Sequence, residues 1–322
     1  MSPTCETKEW VSLQNGLENL FLASAPLPIP GPSEVLVKIC AVALNYRDTE
    51  FVMGLYNHHK RKRRACQQPP KYPVRTCAAP SSPPTRRDGR EEDKVLSIFN
   101  QTHITGQVKA VHIRSGLGLP LPGVLMQYRV FDAEGLVRKP AYLSDEEAAT
   151  LPIAAMTARM AVKGMRPLGQ AGGKGEKVLV QGTGGVAVSG LQTAKASGAE
   201  VIITSSSDAK LELAKILGAD KTINYKMTPD WDLEVLKLMD DEGVDIIFEN
   251  GGAATLRKSR RNITLKVLLN GPRDRLEEML AFYEERQIKP VVNKVFGFGK
   301  AKEALMYLFA GSHFGKVVVK VE

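Results

Sequence analysis

The sequence predicts an α/β protein built around a doubly wound parallel sheet, and three observations predict it. Short apolar runs of buried-strand type recur through the second half: KVLVQG (177–182), EVIITS (200–205), KTINY (221–225) and VDIIFEN (244–250). Helical patterns such as DAKLELAKILGA and WDLEVLKLMD separate them, and strands alternating with helices close into a parallel sheet covered on both faces. Between the first run and the next helical pattern, Gly182, Gly184 and Ala187 meet the spacing G-x-G-x-x-G/A, as a strand-to-helix phosphate turn requires.

Taken in order, PGPSEVLVKICAVA (30–43) opens on a Pro-Gly-Pro turn and runs into an alternating, β-branched segment that reads as a strand. Between residues 57 and 90 the bulky apolar residues are Tyr72 and Val74, against six prolines. Two such side chains cannot offset the entropy of ordering the stretch, so it is expected to be irregular. Order resumes at DKVLSIF (93–99). LSDEEAATLPIAAMTARMAVKGM (143–165) reads as one helix, with Ser144 as its cap and Asp145, Glu146 and Glu147 in its first turn. After the four alternating strands, DRLEEMLAFYEERQ, KPVVNKVF, KAKEALMYLFAG and GKVVVKV repeat the mixture of helix and strand.

The bulk properties narrow the function class. At 322 residues the chain accommodates about two domains. No apolar run reaches the roughly 18 residues needed to span a bilayer, and MSPTCETKEW lacks a basic n-region followed by an apolar h-region, so a cytoplasmic location is expected. The four cysteines, Cys5, Cys40, Cys66 and Cys77, form no C-x-x-C pair, which argues against a disulfide framework and a zinc ribbon. The net charge of +9 is concentrated: residues 57–90 hold 10 of the 44 Lys and Arg and one of the 35 Asp and Glu, leaving 34 of each elsewhere. The basic cluster KRKRR lacks the interleaved aromatics of a single-strand binder, so nucleic-acid binding is disfavoured.

The chemistry concentrates at the glycine turn. Gly182 permits the tight turn, Gly184 lets the backbone approach a pyrophosphate, and the small Ala187 allows close packing of helix on strand. Backbone N–H groups at the helix N-terminus, beginning with Gly185 and Val186, then meet phosphate oxygens. At the end of the second strand an acidic residue would hydrogen-bond the ribose of NAD, whereas this chain has TSSSDAK. Ser205, Ser206 and Lys210 suit an adenosine 2′-phosphate and favour NADP(H). A plainer role for the segment is an N-cap by Ser207. The five histidines form no H-x-x-x-H or His-Glu pair, and neither G-x-S-x-G nor G-x-x-x-x-G-K-[ST] occurs. A metal centre, a hydrolase elbow and a P-loop are therefore disfavoured.

Taken together, VLVKICAVALNYRD, LSDEEAATLPIAAMTA, VLVQGTGGVA with TSSSDAKLELAKILGADKTINY, and HFGKVVVKV resemble the medium-chain dehydrogenase/reductase family, and most nearly its zinc-independent, quinone-oxidoreductase-like branch. The resemblance implies a groES-like, mostly-β catalytic domain over residues 1–145, a Rossmann domain over 146–288, and a C-terminal return to the catalytic domain over 289–322. It implies that Asn45 stands where zinc-dependent relatives carry their first catalytic cysteine, so that hydride transfer proceeds without metal. Tyr46 and Tyr56 become candidates to orient or protonate a carbonyl oxygen, against the plainer role of packing at the domain edge. Thr157, Tyr225 and Asn250 fall at positions that approach the cofactor, and Arg159 replaces the family's usual aromatic.

Two departures qualify the resemblance. Residues 57–92 lack the family's P-x-x-x-G-x-[DE]-x-x-G-x-V strand pair, so barrel strands read as overwritten. Beyond Asn250 eleven residues, GGAATLRKSRR, precede NITLKVLLN. A helical crossover needs about a dozen residues, so one Rossmann strand is expected to be missing near 259–260, with NITLKVLLN moving in to pair with VDIIFEN and turnover weakened. The expected function is NADP(H)-dependent reduction of a small carbonyl, quinone or enone substrate. The alternatives are an inactive NADP-binding protein, or an interaction protein using its basic loop. Oligomeric state is open, with a homodimer as the arrangement considered.

Overall fold

The computed structural model describes residues 6–56, 72–73, 84–85, 94–164, 166–259 and 270–321. Alternating or fully buried apolar segments form the N-terminal strands β1 (Glu6–Ser12), β2 (Phe21–Pro26), β3 (Glu34–Lys38) and β4 (Ala41–Leu44), followed by helix α1 (Tyr46–Val52). Then come β5 (Tyr72–Pro73), β6 (Pro84–Thr85), β7 (Val95–Ser97), the short helix α2 (Ala110–Ile113), β8 (Tyr128–Asp132) and β9 (Leu136–Arg138). These strands pair as β2-β1-β5, β6-β3-β8 and β7-β9. They wrap one core in which Trp10, Ile39, Val42, Phe51, Leu125 and Phe131 meet.

The expectation of irregular chain across 57–92 needs one amendment. Tyr72 and Pro73 pair with Ser12 and Val11, and Pro84 and Thr85 with Val37 and Leu36. Pairing at a sheet edge draws on backbone groups alone, and an edge tolerates proline, so a scarcity of apolar side chains does not prevent it. The remainder of the basic stretch lies outside the described residues, as does 262–269, the run expected to pair with VDIIFEN.

The helix expected over 143–165 is divided into α3 (Asp145–Ala148), a π-type segment Leu151–Ala155, and α4 (Met156–Lys163). Pro152 lies in the π segment; proline has no N–H to give an ordinary helical ladder, and the chain widens locally. The cap at its start is as expected: Ser144 Oγ accepts from Glu147 N at 3.1 Å, and Glu147 Oε2 accepts from Ser144 N at 2.9 Å.

The second half alternates strand and helix: β10 (Lys177–Gln181), α5 (Gly185–Ala196), β11 (Glu200–Ser205), α6 (Asp208–Ile216), β12 (Lys221–Asn224), α7 (Trp231–Leu238), β13 (Ile246–Phe248), α8 (Leu256–Ser259) and α9 (Arg273–Glu285). Among the described residues the sheet runs β12-β11-β10-β13, all parallel. Period-two alternation divides its side chains between two layers. Val178, Val180, Val201 and Ile203 enter one core with α5, while Leu179 and Ile202 enter another with Trp231 and Val235 of α7. Each such side chain, fully buried, contributes about 1.5–3 kcal/mol. A Cβ on Gly190 would lie 2.8 Å from the Phe248 ring, so the bare backbone of α5 sets how closely helix and sheet approach.

The chain then returns to the first domain through β14 (Val292–Gly297), α10 (Ala301–Phe309) and β15 (Lys316–Lys320). β15 runs parallel to β14 and antiparallel to β4, with Val317 opposite Leu44 and Lys320 opposite Ala41. Just before β15, Gly315 forms a bridge with Gly184, and its N–H donates to Thr183 O at 3.0 Å. That contact stitches the C-terminal strand directly to the glycine turn.

Candidate active site

In the sheet, β11 and β13 flank β10 on opposite sides, so the connections leaving β10 and β13 diverge at its carboxyl edge. Open α/β sheets bind ligands at such a switch point. A cleft of ≈ 800 Å³ opens there, between the glycine turn, the start of α1 and the C-terminal return. Gly182 has φ +79°, accessible to glycine without strain. Cβ atoms built on Gly182 and Gly184 would meet no protein atom within 4 Å. The turn therefore presents bare backbone to open space.

Of the residues singled out from sequence, Asn45, Tyr46, Thr157, Gly182, Gly184, Gly185, Val186, Tyr225 and Asn250 all line this cleft. Asn45 is held on several sides: its N–H donates to Asp48 Oδ2 at 2.7 Å, and its Oδ1 accepts from Lys316 Nζ at 2.8 Å. Tyr46 is largely exposed and stacks on Phe309 with centroids 6.3 Å apart. Asn250 Nδ2 donates to Gln181 O at 3.2 Å, joining the ends of β13 and β10.

Four candidates lie outside the cleft wall. Tyr56 packs against the first core, and its hydroxyl accepts from Arg47 Nη2 at 2.9 Å. Ser205 is buried and its Oγ accepts from Ser207 N at 3.3 Å, so that hydroxyl serves the turn; Thr204 lines the cleft instead. Ser206 is half-buried beside it. Lys210 Nζ donates to Gly311 O at 3.0 Å and lies near His313, a cleft residue. Ser207 occupies the N-cap of α6, but its side chain makes no capping hydrogen bond, contrary to the capping role considered from sequence. Arg159 is buried and stacked 4.0 Å from the Phe282 centroid, away from the cleft.

Sequence reading missed Lys316, His313, Gln181 and Arg47. Lys316 is buried, and besides Asn45 its ammonium makes a short contact with Leu44 O. A Cβ on Gly185 would fall 2.3 Å from Lys316 Cδ, so the lysine stem passes directly beneath the glycine turn. Burial, with the neighbouring Lys210 and Lys316 charges, pushes the His313 imidazole down to about 4, and its Nδ1 has no partner. Gln181 donates to Glu249 and Ser259, while its own Oε1 is buried and unpartnered. Burial acts to raise the Glu249 carboxyl, but hydrogen bonds from Ser259, Thr255, Gln181 and Gly251 outweigh it and hold the group below the usual carboxylate range.

Among the described lining residues Arg47, His313 and Lys316 carry basic groups, and no Asp or Glu appears. A bare glycine turn at a helix N-terminus and a described wall with basic but no acidic side chains suit an anionic dinucleotide. Among the described residues no group of three or more His, Cys, Asp or Glu is placed to hold a metal ion.

Comparison with known proteins agrees with this architecture. The description "zinc-binding dehydrogenase" applies to two family matches, at residues 185–266 and 253–319. A zinc-type alcohol dehydrogenase-like protein of Schizosaccharomyces pombe is 35% identical over 333 residues, covering 90% of this chain and 92% of that protein. The NADPH-dependent alkenal/one oxidoreductase of Arabidopsis thaliana chloroplasts is 28% identical, covering 98% of this chain and 79% of that one. A solved structure from Sinorhizobium meliloti 1021, attributed to an alcohol dehydrogenase, matches with a TM-score of 0.79 at 31% identity over 98% of this chain and 99% of its own. At that identity and coverage, and with both family matches in its second half, the chain belongs to the zinc-binding dehydrogenase family, the medium-chain dehydrogenase/reductase oxidoreductases.

Proposed function

We propose that this chain is a zinc-independent reductase that uses NADPH to reduce a small carbonyl, quinone or enone compound, with residues 1–145 and 289–322 forming the catalytic domain and 146–288 the cofactor domain. The observation that carries the reading is that one cleft brings the open glycine turn against the Lys316–Asn45 pair. The relatives named for NADPH-dependent alkenal/one and quinone reduction support it. No observation favours the alternatives of an inactive nucleotide-binding protein or a basic-loop interaction protein. Cytoplasmic residence, and the homodimer considered above, complete the proposal, and size-exclusion chromatography with light scattering tests the second.

Gly182, Gly184, Gly185 and Val186 would receive the pyrophosphate through backbone N–H groups. Lys210, with Ser206 and His313 beside it, would meet the 2′-phosphate; Thr157 and Asn250 would contact the nicotinamide half, and Tyr225 the adenosine half. Bound there, the nicotinamide supplies the two electrons of the reduction. As they enter an enone or carbonyl, negative charge gathers on the substrate oxygen, and a fixed donor aimed at that oxygen lowers the barrier. Lys316 is such a donor, oriented by Asn45 and Leu44 O, and Tyr46 is a second group able to deliver a proton. The Gly184–Gly315 bridge ties the glycine turn to the residue preceding Lys316, an attachment that would hold Lys316 beside a cofactor bound on that turn.

The test is anaerobic loss of NADPH absorbance over a panel of enones, quinones and aldehydes, with NADPH and NADH dissociation constants measured by fluorescence titration. The expected result is tighter NADPH binding and turnover of at least one compound. Turnover that requires added zinc, or NADH bound as tightly as NADPH, would refute the assignment.

A further inference from the structure

Arg47 belongs to the cleft wall but is distant in role from the glycine turn. It follows Asn45 by two residues in the first turn of α1, and its half-buried guanidinium lies 5.3 Å from the Tyr56 ring centroid and 5.7 Å from that of Phe99. One N–H donates to the Tyr56 hydroxyl at 2.9 Å. Two aromatic faces and a neutral acceptor fix the fork without neutralising it, and no described carboxylate pairs with it. Guanidinium carries five N–H donors, so several remain to be satisfied at the cleft. A partly desolvated cation gains most from an anion, and a planar fork gains most from a planar, bidentate one. The surrounding wall is apolar: Tyr46, Phe99, Ile153 and Leu308 line the same cleft.

On the reading above, the glycine turn, Lys210 and His313 would take the cofactor's phosphates, which leaves Arg47 a surplus positive charge on the substrate side among the described residues. We propose that the substrate is an anion, an enone or carbonyl compound bearing a carboxylate, whose carboxylate is bound by Arg47 while its reacting oxygen faces Lys316. This rests on the reductase reading above and adds the substrate class. Tyr56 acts here as a positioning residue, holding the guanidinium through its hydroxyl and ring face. The Phe99 ring is a second aromatic contact of the guanidinium.

The experiment measures binding by calorimetry to the protein saturated with NADP⁺, where no turnover occurs and the phosphate-binding cations are engaged. The probes are 4-oxopentanoate, its methyl ester, and the phosphonate of equal chain length. The acid is expected to bind about 10- to 100-fold tighter than the ester, the range of a charge-assisted pair. R47Q is expected to bring that ratio to about one, and R47K, a point charge without a fork, to leave it intermediate. Equal binding of acid and ester by the unaltered protein, or a preference that survives in R47Q, would overturn the proposal. Phosphonate binding tighter than the acid would overturn the carboxylate assignment. If R47Q fails to fold, the unaltered protein and R47K decide by the same ratio. Selective acid binding with no NADPH oxidation by the matching unsaturated acid would instead refute the reductase reading and leave Arg47 as an anion site.

Discussion

Gly184 and Gly185 are adjacent, and substituting each by alanine is expected to separate cofactor binding from folding. At Gly184 the backbone has φ −79° and ψ −175°, open to any residue, and an added Cβ meets no protein atom within 4 Å. Alanine is a poorer N-cap than glycine, but its stiffer unfolded chain returns about 0.4–1 kcal/mol, so G184A should change stability by less than about 1 kcal/mol. The methyl would project where the pyrophosphate approaches the backbone, and overpacking of that kind costs about 1–3 kcal/mol. NADPH affinity should therefore fall by about 5- to 150-fold. G185A should do the reverse first: its Cβ collides with Lys316 Cδ at 2.3 Å and touches Ala154 Cβ at 3.4 Å, destabilising the free protein by about 1–3 kcal/mol. Urea unfolding and fluorescence titration of both variants provide the comparison. Unchanged NADPH binding by a stable G184A protein would refute the placement of the phosphates on this turn.

Three further outcomes are expected. K210A should weaken NADPH by about 1–2 kcal/mol and leave NADH unaffected, because the lost contact is a charge-assisted one to the 2′-phosphate; parallel titrations with both cofactors check it. His313 ordinarily titrates near 6.5 but is held near 4 in the folded chain by burial and by Lys210 and Lys316. Between those values the unfolded chain binds a proton that the folded chain refuses, so stability should fall as pH drops from about 6.5 to about 4 and level off below. H313Q should flatten that limb in urea unfolding measured across the window, and an unchanged slope would exclude His313 as its source. Arg159 is buried with Nε and Nη1 unpartnered against Phe282, and burial opposes its charge more than Glu278 supports it. R159L should thus raise unfolding free energy by about 1–3 kcal/mol; a loss of stability would show that the cation contributes more than it costs.

Much of this was legible in the chain itself because it is local. The apolar runs at 177–182 and 200–205 mark buried strands, and the structure buries them on both faces, with Val178 and Val180 in one layer and Leu179 in the other. The glycine spacing announces its turn because positive φ at Gly182 and bare backbone at Gly184 are demands on single residues. The cap expected at Ser144 forms, closing with Glu147 a box of four consecutive residues. Local reading failed where two local signals competed: the Ser144 cap and acidic first turn argued for one helix over 143–165, and the missing N–H of Pro152 divided it.

What only the tertiary structure decided is which distant residues share the cleft. Asn45 and Lys316 are 271 positions apart, and nothing within HFGKVVVKV marks its lysine as buried beneath a glycine turn rather than solvated at a strand end. The pairing exists because β15 crosses back to lie against β4 and docks Gly315 on Gly184. Arg47 is likewise unremarkable within NYRD until the Tyr56 and Phe99 rings come against its guanidinium. The physical reason is that periodicity and turn chemistry are set by neighbours along the chain. Charge burial and orientation are set instead by neighbours in space, and sequence order does not contain them.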